Sequence, residues 1–222
     1  MRPFHEIEQA AIARKGSKDS LSSALLTPKS ADDIAQIPAD RWLSEMSKCV
    51  FQAGFSWKVI ETKWPRFEEV FDGFDVGRLS MLHDEDVERL LKADGIVAHG
   101  PKIKSVGENA RFLQSLAETH GSVGAFFANW KRADYCDNLR IVQKGGSRLG
   151  GKTGQVALRR IGMDTPIFSS DVLEALKVEG IVARMPSSNK DFAAVQAAFD
   201  QWHKESGRPF TQISQILAFS VG

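Results

Sequence analysis

The stretch that most constrains the fold of this chain is QKGGSRLGGKTGQVALRRIGM, residues 143–163. Its pattern predicts a helix that ends near Gln143, a tight glycine-rich turn, and a second helix that begins near Lys152 or Thr153. Glycine lets the backbone of such a turn approach an anion closely. The N–H groups at the start of the second helix then point at a phosphate, and the helix dipole favours its negative charge.

Basic side chains surround this turn, which makes it a candidate contact for a nucleic-acid backbone. The candidate residues are Gly146, Arg148, Gly150, Gly151, Lys152 and Thr153. The alternative is a glycine-rich loop whose lysines and arginines are simply solvated, and composition alone does not separate the two. A nucleotide-binding phosphate loop is not expected, because no strand is predicted ahead of the turn.

The overall charge gives no hint of a polyanionic partner, because 29 Lys and Arg stand against 28 Asp and Glu in 222 residues. Two cysteines, Cys49 and Cys136, lie far apart without a CxxC pattern, which excludes a disulfide-rich scaffold. The sequence shows no secretory signal and no apolar run of about 20 residues that could span a membrane. We therefore expect a cytoplasmic protein that makes no membrane contact.

The hydrophobic pattern is helical from Arg41 onward, and no stretch alternates as a strand would. The predicted fold class is all-α. Pro65 is predicted to open a short helix. We expect an N-terminal arm over residues 1–40 that packs on a helical body over residues 41–222, with the hairpin at about 143–163.

Two groups of short motifs resemble a known family. The first group is FQAGFSW at 51–57, FD at 74–75, DVERL at 86–90, GIV at 95–97, KI at 102–103 and NAR at 109–111. In this order it resembles the DNA-3-methyladenine glycosylase I family over about residues 42–116. The second group, the hairpin followed by PIFSSDV at 166–172, is similar to the wider helix-hairpin-helix (HhH-GPD) glycosylase superfamily.

The resemblance implies a two-lobed helical glycosylase fold with a DNA-binding hairpin. It also implies base excision repair, in which the enzyme flips an alkylated purine such as 3-methyladenine out of duplex DNA and hydrolyses its N-glycosidic bond. A monomer near the bacterial nucleoid is expected, with no cofactor. In this reading Trp57 falls on the family's pocket tryptophan, and Phe51, Phe55 and Cys49 could line the same base pocket. For Phe51 and Phe55 the alternative, which we favour, is ordinary packing in the core.

Two residues are candidates for catalysis. The resemblance places Asp171 where the superfamily carries an aspartate that stabilises the cationic sugar; the alternative is a plain N-cap of the following helix. Lys152 follows the hairpin glycines as a Schiff-base lysine does in bifunctional members, and the alternative is a phosphate contact.

The sequence departs from the family at two positions. Cys49 stands where the family has its base-contacting glutamate, and Ala98 stands where the family has an arginine. A thiol cannot accept a hydrogen bond from an adenine amino group as a carboxylate does. The family's Cys and His zinc ligands have no counterpart, so no metal is expected. Two alternatives therefore stay open: a bifunctional glycosylase and lyase that uses Lys152 on another lesion, and a non-catalytic DNA-binding module.

Overall fold

The computed structural model describes residues 1–221, and within them it contains helices and connecting loops but no strand. The all-α prediction is confirmed. Two single-turn 3-10 helices, Asp72–Phe74 and Arg132–Asp134, join the longer elements. The fourteen α-helices of the described chain are α1 (Phe4–Lys15), α2 (Lys18–Ala24), α3 (Ala31–Ala35), α4 (Ala39–Gln52), α5 (Trp57–Val70), α6 (Val76–Ser80), α7 (Asp84–Leu91), α8 (Gly100–His120), α9 (Val123–Ala128), α10 (Tyr135–Gly145), α11 (Lys152–Ile161), α12 (Ser170–Val178), α13 (Asn189–Ser206) and α14 (Phe210–Ser220).

The chain divides into two compact units. Within the described residues, the first comprises 1–29, 131–140 and 162–221, and the second comprises 30–130 and 141–161. No helix within residues 1–221 has the length and apolar character to cross a bilayer.

The first unit is built around α14, which packs against α1, α12 and α13. The ring of Phe199 lies 5.7 Å from that of Trp202 and 5.3 Å from that of Phe210, both edge-on. The loop ahead of α12 is tied to α14 through its backbone, since Thr165 N donates to Thr211 Oγ1 at 3.0 Å and Ile167 N donates to Ser214 Oγ at 3.0 Å. These bonds fix the entry of α12, which carries Asp171.

The second unit is built around α8, which packs against α4, α6, α7 and α9, while α11 packs against α4. A ladder of parallel aromatic rings fills its interior. The rings of Trp64 and Phe67 lie 4.9 Å apart, and those of Phe71 and Phe74 lie 5.3 Å apart. The two rings of each pair are stacked and nearly parallel. This core holds α4 and α5 in the positions from which the candidate site is built.

The prediction that Pro65 opens a helix is wrong, because Pro65 lies inside α5. A proline inside a helix leaves the carbonyl four residues earlier without its N–H donor. Here Pro65 is on the exposed face of α5, where water can take the place of that donor. Burial of Trp64 and Phe67 in the aromatic core keeps the helix continuous across it.

Candidate functional site

The glycine-rich hairpin forms as predicted, within the second unit. The preceding helix α10 ends at Gly145, two residues beyond the predicted Gln143, and α11 begins at Lys152. The turn is anchored from below by Leu149, which is fully buried. Asn109 of α8 holds it from the side, accepting from Ser147 N at 2.7 Å and donating to Ser147 O at 3.1 Å.

Three of the glycines are required by close packing. A Cβ on Gly145 would collide with the ring of Phe112, and one on Gly154 would lie 2.6 Å from the carbonyl oxygen of Leu149. A Cβ on Gly146 would lie 2.9 Å from the carbonyl oxygen of Val142. The glycines therefore let the turn and the helix ends beside it pack against each other and against α8 at distances that side chains would prevent.

The other two glycines face solvent. A Cβ at Gly150 or Gly151 would meet nothing within 4 Å, and both residues are exposed together with Lys152. The backbone N–H groups of these three residues donate to no acceptor within residues 1–221. They form an exposed set of donors at the N-terminus of α11, the arrangement that binds phosphate oxygens.

Residues 146–153 also have the spacing G-x-x-x-x-G-K-T of a nucleotide-binding phosphate loop. In that motif the loop follows a β-strand. Here it follows the helix α10. The local geometry is therefore that of two helices joined by a short turn.

The turn between α4 and α5 carries the FQAGFSW motif. Gly54 adopts a left-handed φ of 82° that reverses the chain. Lys102 of α8, which is buried, donates to the carbonyl oxygens of Phe51 (3.1 Å) and Ala53, so it satisfies carbonyls at the end of α4. Burial, and after it the positive charge of Arg148, lowers the pKa of Lys102. The same ammonium lies 4.3 Å from the centroid of the Phe55 ring.

Trp57 is the first residue of α5 and stands out by its exposure, at 55%. The guanidinium carbon of Arg160, in the last turn of α11, lies 4.9 Å from the centroid of its ring. That distance is within the range of a cation–π contact. The indole therefore already accommodates a planar cation.

Arg160 is held over the indole by polar groups of α4. Its Nη1 donates to Gln52 Oε1 at 2.7 Å and to Glu45 Oε1 at 3.1 Å, and the Cys49 thiol lies 3.8 Å from the same nitrogen. Gln52 is fixed in turn, because its Nε2 donates to Glu61 Oε2 at 3.2 Å. We call Glu45, Gln52, Trp57 and Arg160 the indole cluster.

Cys49 is nearly buried beside this cluster, and its thiol donates to Glu45 Oε1 at 3.5 Å. Burial, and next the Glu45 carboxylate, raises the pKa of the Cys49 thiol to about 12. Cys49 is therefore a neutral thiol at physiological pH and is not an activated nucleophile.

The structure brings some of the predicted residues together and separates others. Trp57, Cys49 and Phe55 flank the same α4–α5 turn, and Phe55 is 38% exposed. Phe51 has no exposed surface and packs edge-on against Phe67 at 4.7 Å, so a base would not reach it in this conformation. Lys152 begins α11, and it makes no ion pair within residues 1–221.

Asp171 lies in the first unit, in the first turn of α12, and is exposed. The alternative that it caps this helix is wrong, because the N-cap is Ser169, whose side chain accepts from Val172 N at 3.3 Å. The serine sits one position before the helix with extended backbone, which is the geometry that capping requires. The Asp171 carboxylate is left to accept from Ser170 Oγ at 3.2 Å.

Sequence reasoning missed the polar part of the indole cluster. In the sequence, Arg160 is one of several basic residues that follow the glycine-rich turn, and nothing marks it, Glu45 or Gln52 as part of a site. One signal was present: Glu45 precedes Cys49 by four residues, so the two share a helix face. The approach of Arg160 to this face has no signature in the sequence, because it depends on how α11 packs against α4.

Residues 40–145 match the family model of the methyladenine glycosylases. We call these residues the glycosylase segment, because over them the chain is similar to the methyladenine glycosylases. Among curated proteins, DNA-3-methyladenine glycosylase 1 of Escherichia coli (strain K12) is 39% identical over 64 residues. That match covers 28% of this chain and 34% of the relative, so the chain spans about a third of the length of the curated relative. The glycosylase segment includes α4, α5 and α8, and hence most of the indole cluster.

Solved structures show the fold beyond the glycosylase segment. The 8-oxoguanine glycosylase/lyase of Methanocaldococcus jannaschii, crystallised with a 15mer DNA containing 8-oxoguanine, is similar with a TM-score of 0.55 and 14% identity, covering 96% of each chain. A second crystal structure of the 8-oxoguanine DNA glycosylase from this organism gives a TM-score of 0.54 and 15% identity, covering 96% of this chain and 91% of that one. At this identity the likeness is one of fold. The predicted helical glycosylase fold is confirmed.

Within residues 1–221 no three His, Cys, Asp or Glu side chains converge in a way that could hold a metal ion.

Proposed function

We propose that this protein is a monofunctional DNA glycosylase that removes alkylated purines, such as 3-methyladenine, from duplex DNA by hydrolysing the N-glycosidic bond. The single observation that carries the proposal is that α11 joins two surfaces with complementary tasks. Lys152 and the exposed amides stand at its start, and Arg160 lies on the exposed indole of Trp57 near its end. At 1.5 Å per residue, the eight steps between them place these surfaces about 12 Å apart along one rigid helix.

The first surface would position DNA without reading its sequence. Exposed amide donors, the helix dipole and the Lys152 ammonium all attract phosphate oxygens. The glycosidic bond of a stacked base is not accessible to an enzyme, so the target nucleotide must leave the duplex. Weak stacking of a damaged base reduces the cost of that step.

The second surface would receive the everted base. The exposed indole of Trp57 offers a stacking face, and a cationic alkylpurine over it gains about 0.5–2 kcal/mol from the cation–π interaction. Such bases already have a weakened glycosidic bond, so catalysis rests mainly on stabilising the cationic sugar in the transition state. We assign that role to the carboxylate of Asp171.

The test is release of methylated bases from alkylated duplex DNA, followed chromatographically, for the wild type, Trp57→Ala and Asp171→Asn. We expect release by the wild type and at least about a hundredfold slower release by Asp171→Asn, as for removal of one electrostatic stabiliser. Glu69→Gln, an exposed change on α5, is the control. Full activity in both site variants would contradict the assignment. Salt-sensitive DNA binding by a wild type that releases no base would leave a non-catalytic DNA-binding module.

A second candidate function is a glycosylase that also cleaves the DNA strand. It is favoured by the exposure of Lys152 and by its lack of an ion pair within the described chain, because a nucleophilic lysine must be free to lose its proton. Borohydride added during the reaction on damaged duplex DNA would trap a Schiff base as a covalent complex. A trapped complex with the wild type that is absent with Lys152→Met would replace the monofunctional proposal.

In either case damaged double-stranded DNA is the proposed partner, and the protein is expected to act as a monomer in the bacterial cytoplasm, at the nucleoid.

A further inference from the structure

Within the indole cluster, the Arg160 guanidinium contacts the other three residues. It is a planar cation, it lies over the Trp57 ring, and its Nη1 donates to Glu45 and Gln52 at 3.1 and 2.7 Å. An aminopurine cation has the same features: a flat, delocalised positive charge with N–H donors in its plane. Trp57, Glu45 and Gln52 therefore offer a stacking face and hydrogen-bond acceptors, the two features that this chemical class requires.

From this geometry we infer that Glu45 and Gln52 recognise the amino edge of a cationic base stacked on Trp57, and that Arg160 occupies their place until the base arrives. The inference deepens the proposed function and rests on it for the identity of the natural ligand. It also explains how the chain can read an amino group although Cys49 stands where the family has its glutamate. The carboxylate is supplied by Glu45, which lies one helical turn before Cys49 in α4.

The burial of the acceptors supports this assignment. Gln52 is only 2% exposed, and its amide is oriented by the bond that Nε2 donates to Glu61 at 3.2 Å. Its Oε1 is thereby turned toward Arg160 as a fixed acceptor. The Glu45 side chain is 24% exposed, which leaves its carboxylate open to an incoming ligand. A fixed neutral acceptor beside a partly exposed anion selects a donor-bearing cation over a neutral base with carbonyl acceptors.

Exchange of Arg160 for the base conserves the charge balance. One cation leaves the Glu45 carboxylate and the indole, and another takes its place, so no charge is left unpaired in a partly buried site. Arg160 can leave because its side chain is 29% exposed and is carried by the last turn of α11. The cost of displacing it lowers the apparent affinity for every ligand, and most strongly for ligands without a positive charge.

Benzamidinium is a suitable probe, because it is a planar aromatic cation with N–H donors in its plane; benzamide is its neutral counterpart. Binding would be followed by the shift of the Trp57 indole N–H resonance, assigned from its loss in Trp57→Phe. We expect Arg160→Met to bind benzamidinium about tenfold or more tightly than the wild type, since the competing cation is gone. Glu45→Gln in the Arg160→Met background should bind about tenfold or more weakly than Arg160→Met alone, since a charged hydrogen bond is lost. Benzamide should bind weakly to all of them.

Two variants are the matched controls: Arg159→Met removes a positive charge from the same helix as Arg160, and Glu69→Gln removes a negative charge from the neighbouring helix α5. Equal benzamidinium affinity of Arg160→Met and the wild type would overturn the displacement by Arg160. Equal affinity of Arg160→Met with and without Glu45→Gln would overturn the role of Glu45. These outcomes are separate from the proposed function, which fails if the wild type releases no base from alkylated DNA.

A second readout uses alkylated DNA itself. 3-Methyladenine presents an amino group at the position where 7-methylguanine presents a carbonyl oxygen. We expect Glu45→Gln to reduce release of 3-methyladenine more than release of 7-methylguanine, so that the ratio of the two rates falls about tenfold or more. An equal loss for both bases would show that Glu45 does not read the amino edge.

Discussion

The side-chain amide of Asn109 binds both backbone polar groups of Ser147: its oxygen accepts from Ser147 N at 2.7 Å and its nitrogen donates to Ser147 O at 3.1 Å. Asn109 is fully buried on α8. It therefore connects the longest helix of the second unit to the turn that presents the exposed amides. The shape of the hairpin therefore depends on this side chain as well as on its glycines.

We expect Asn109→Ala to lower the free energy of unfolding by about 1–3 kcal/mol, because two buried backbone groups of Ser147 lose their partner. Denaturant unfolding would measure it. Asn109→Asp keeps the acceptor for Ser147 N but places a buried carboxylate oxygen against Ser147 O, so at pH 7 it should cost at least as much as the alanine variant. An Asn109→Asp variant as stable as the wild type would argue against the two-bond description.

We expect Lys152→Met to weaken binding to undamaged duplex DNA and to reduce the slope of log affinity against log salt by about 1, the value for one lost phosphate contact. Fluorescence anisotropy across a salt series would measure the slope. Lys177→Met, which removes a lysine paired with Glu174 on α12, is the control. An unchanged slope for Lys152→Met would show that this lysine makes no contact with a DNA phosphate.

We expect Cys49 and Cys136 to react very slowly with iodoacetamide at pH 8 in the folded protein. Burial raises the pKa of each thiol to about 12, and the thiolate is the reactive form. Mass spectrometry would follow alkylation with and without urea, and both sites should be modified rapidly once the chain is unfolded. Rapid labelling of Cys49 in the folded state would contradict the neutral thiol beside Glu45.

We expect the free energy of unfolding to fall as the pH drops below the ordinary Glu pKa of 4.5, in part through Glu68. Although burial raises its pKa, hydrogen bonds from Arg41 and Ser44 lower it overall. A carboxyl whose pKa is depressed in the folded state contributes stability above its unfolded pKa, and that contribution is lost as pH falls through the folded pKa.

Glu68→Gln should therefore be less stable than the wild type at pH 7, and the difference should shrink toward pH 3. Thermal unfolding across this range would measure it, with the exposed Glu69→Gln as the control. A difference that stays constant with pH would show that the Glu68 charge does not contribute.

Much of the local structure follows from the sequence. The α4–α5 turn with Gly54 is set by a residue that tolerates a positive φ. The start of α11 at Lys152 follows from the preceding glycines and from the apolar spacing of the helix. The position of Pro65 inside α5 does not follow from local preference, because burial of its aromatic neighbours outweighs the lost hydrogen bond. The sequence also does not determine that Ser169, and not Asp171, is the N-cap of α12, because serine and aspartate both cap helices well.

By itself the sequence determined the class of fold, the hairpin and the place of Trp57 at the end of a family motif, because each depends on residues close together in the chain. Only the tertiary structure decided what lies over that indole. Arg160 meets Glu45 and Gln52 across more than a hundred residues of chain, where α11 packs against α4. Contacts of this kind are set by the packing of whole helices, and no periodicity or spacing within either helix records them.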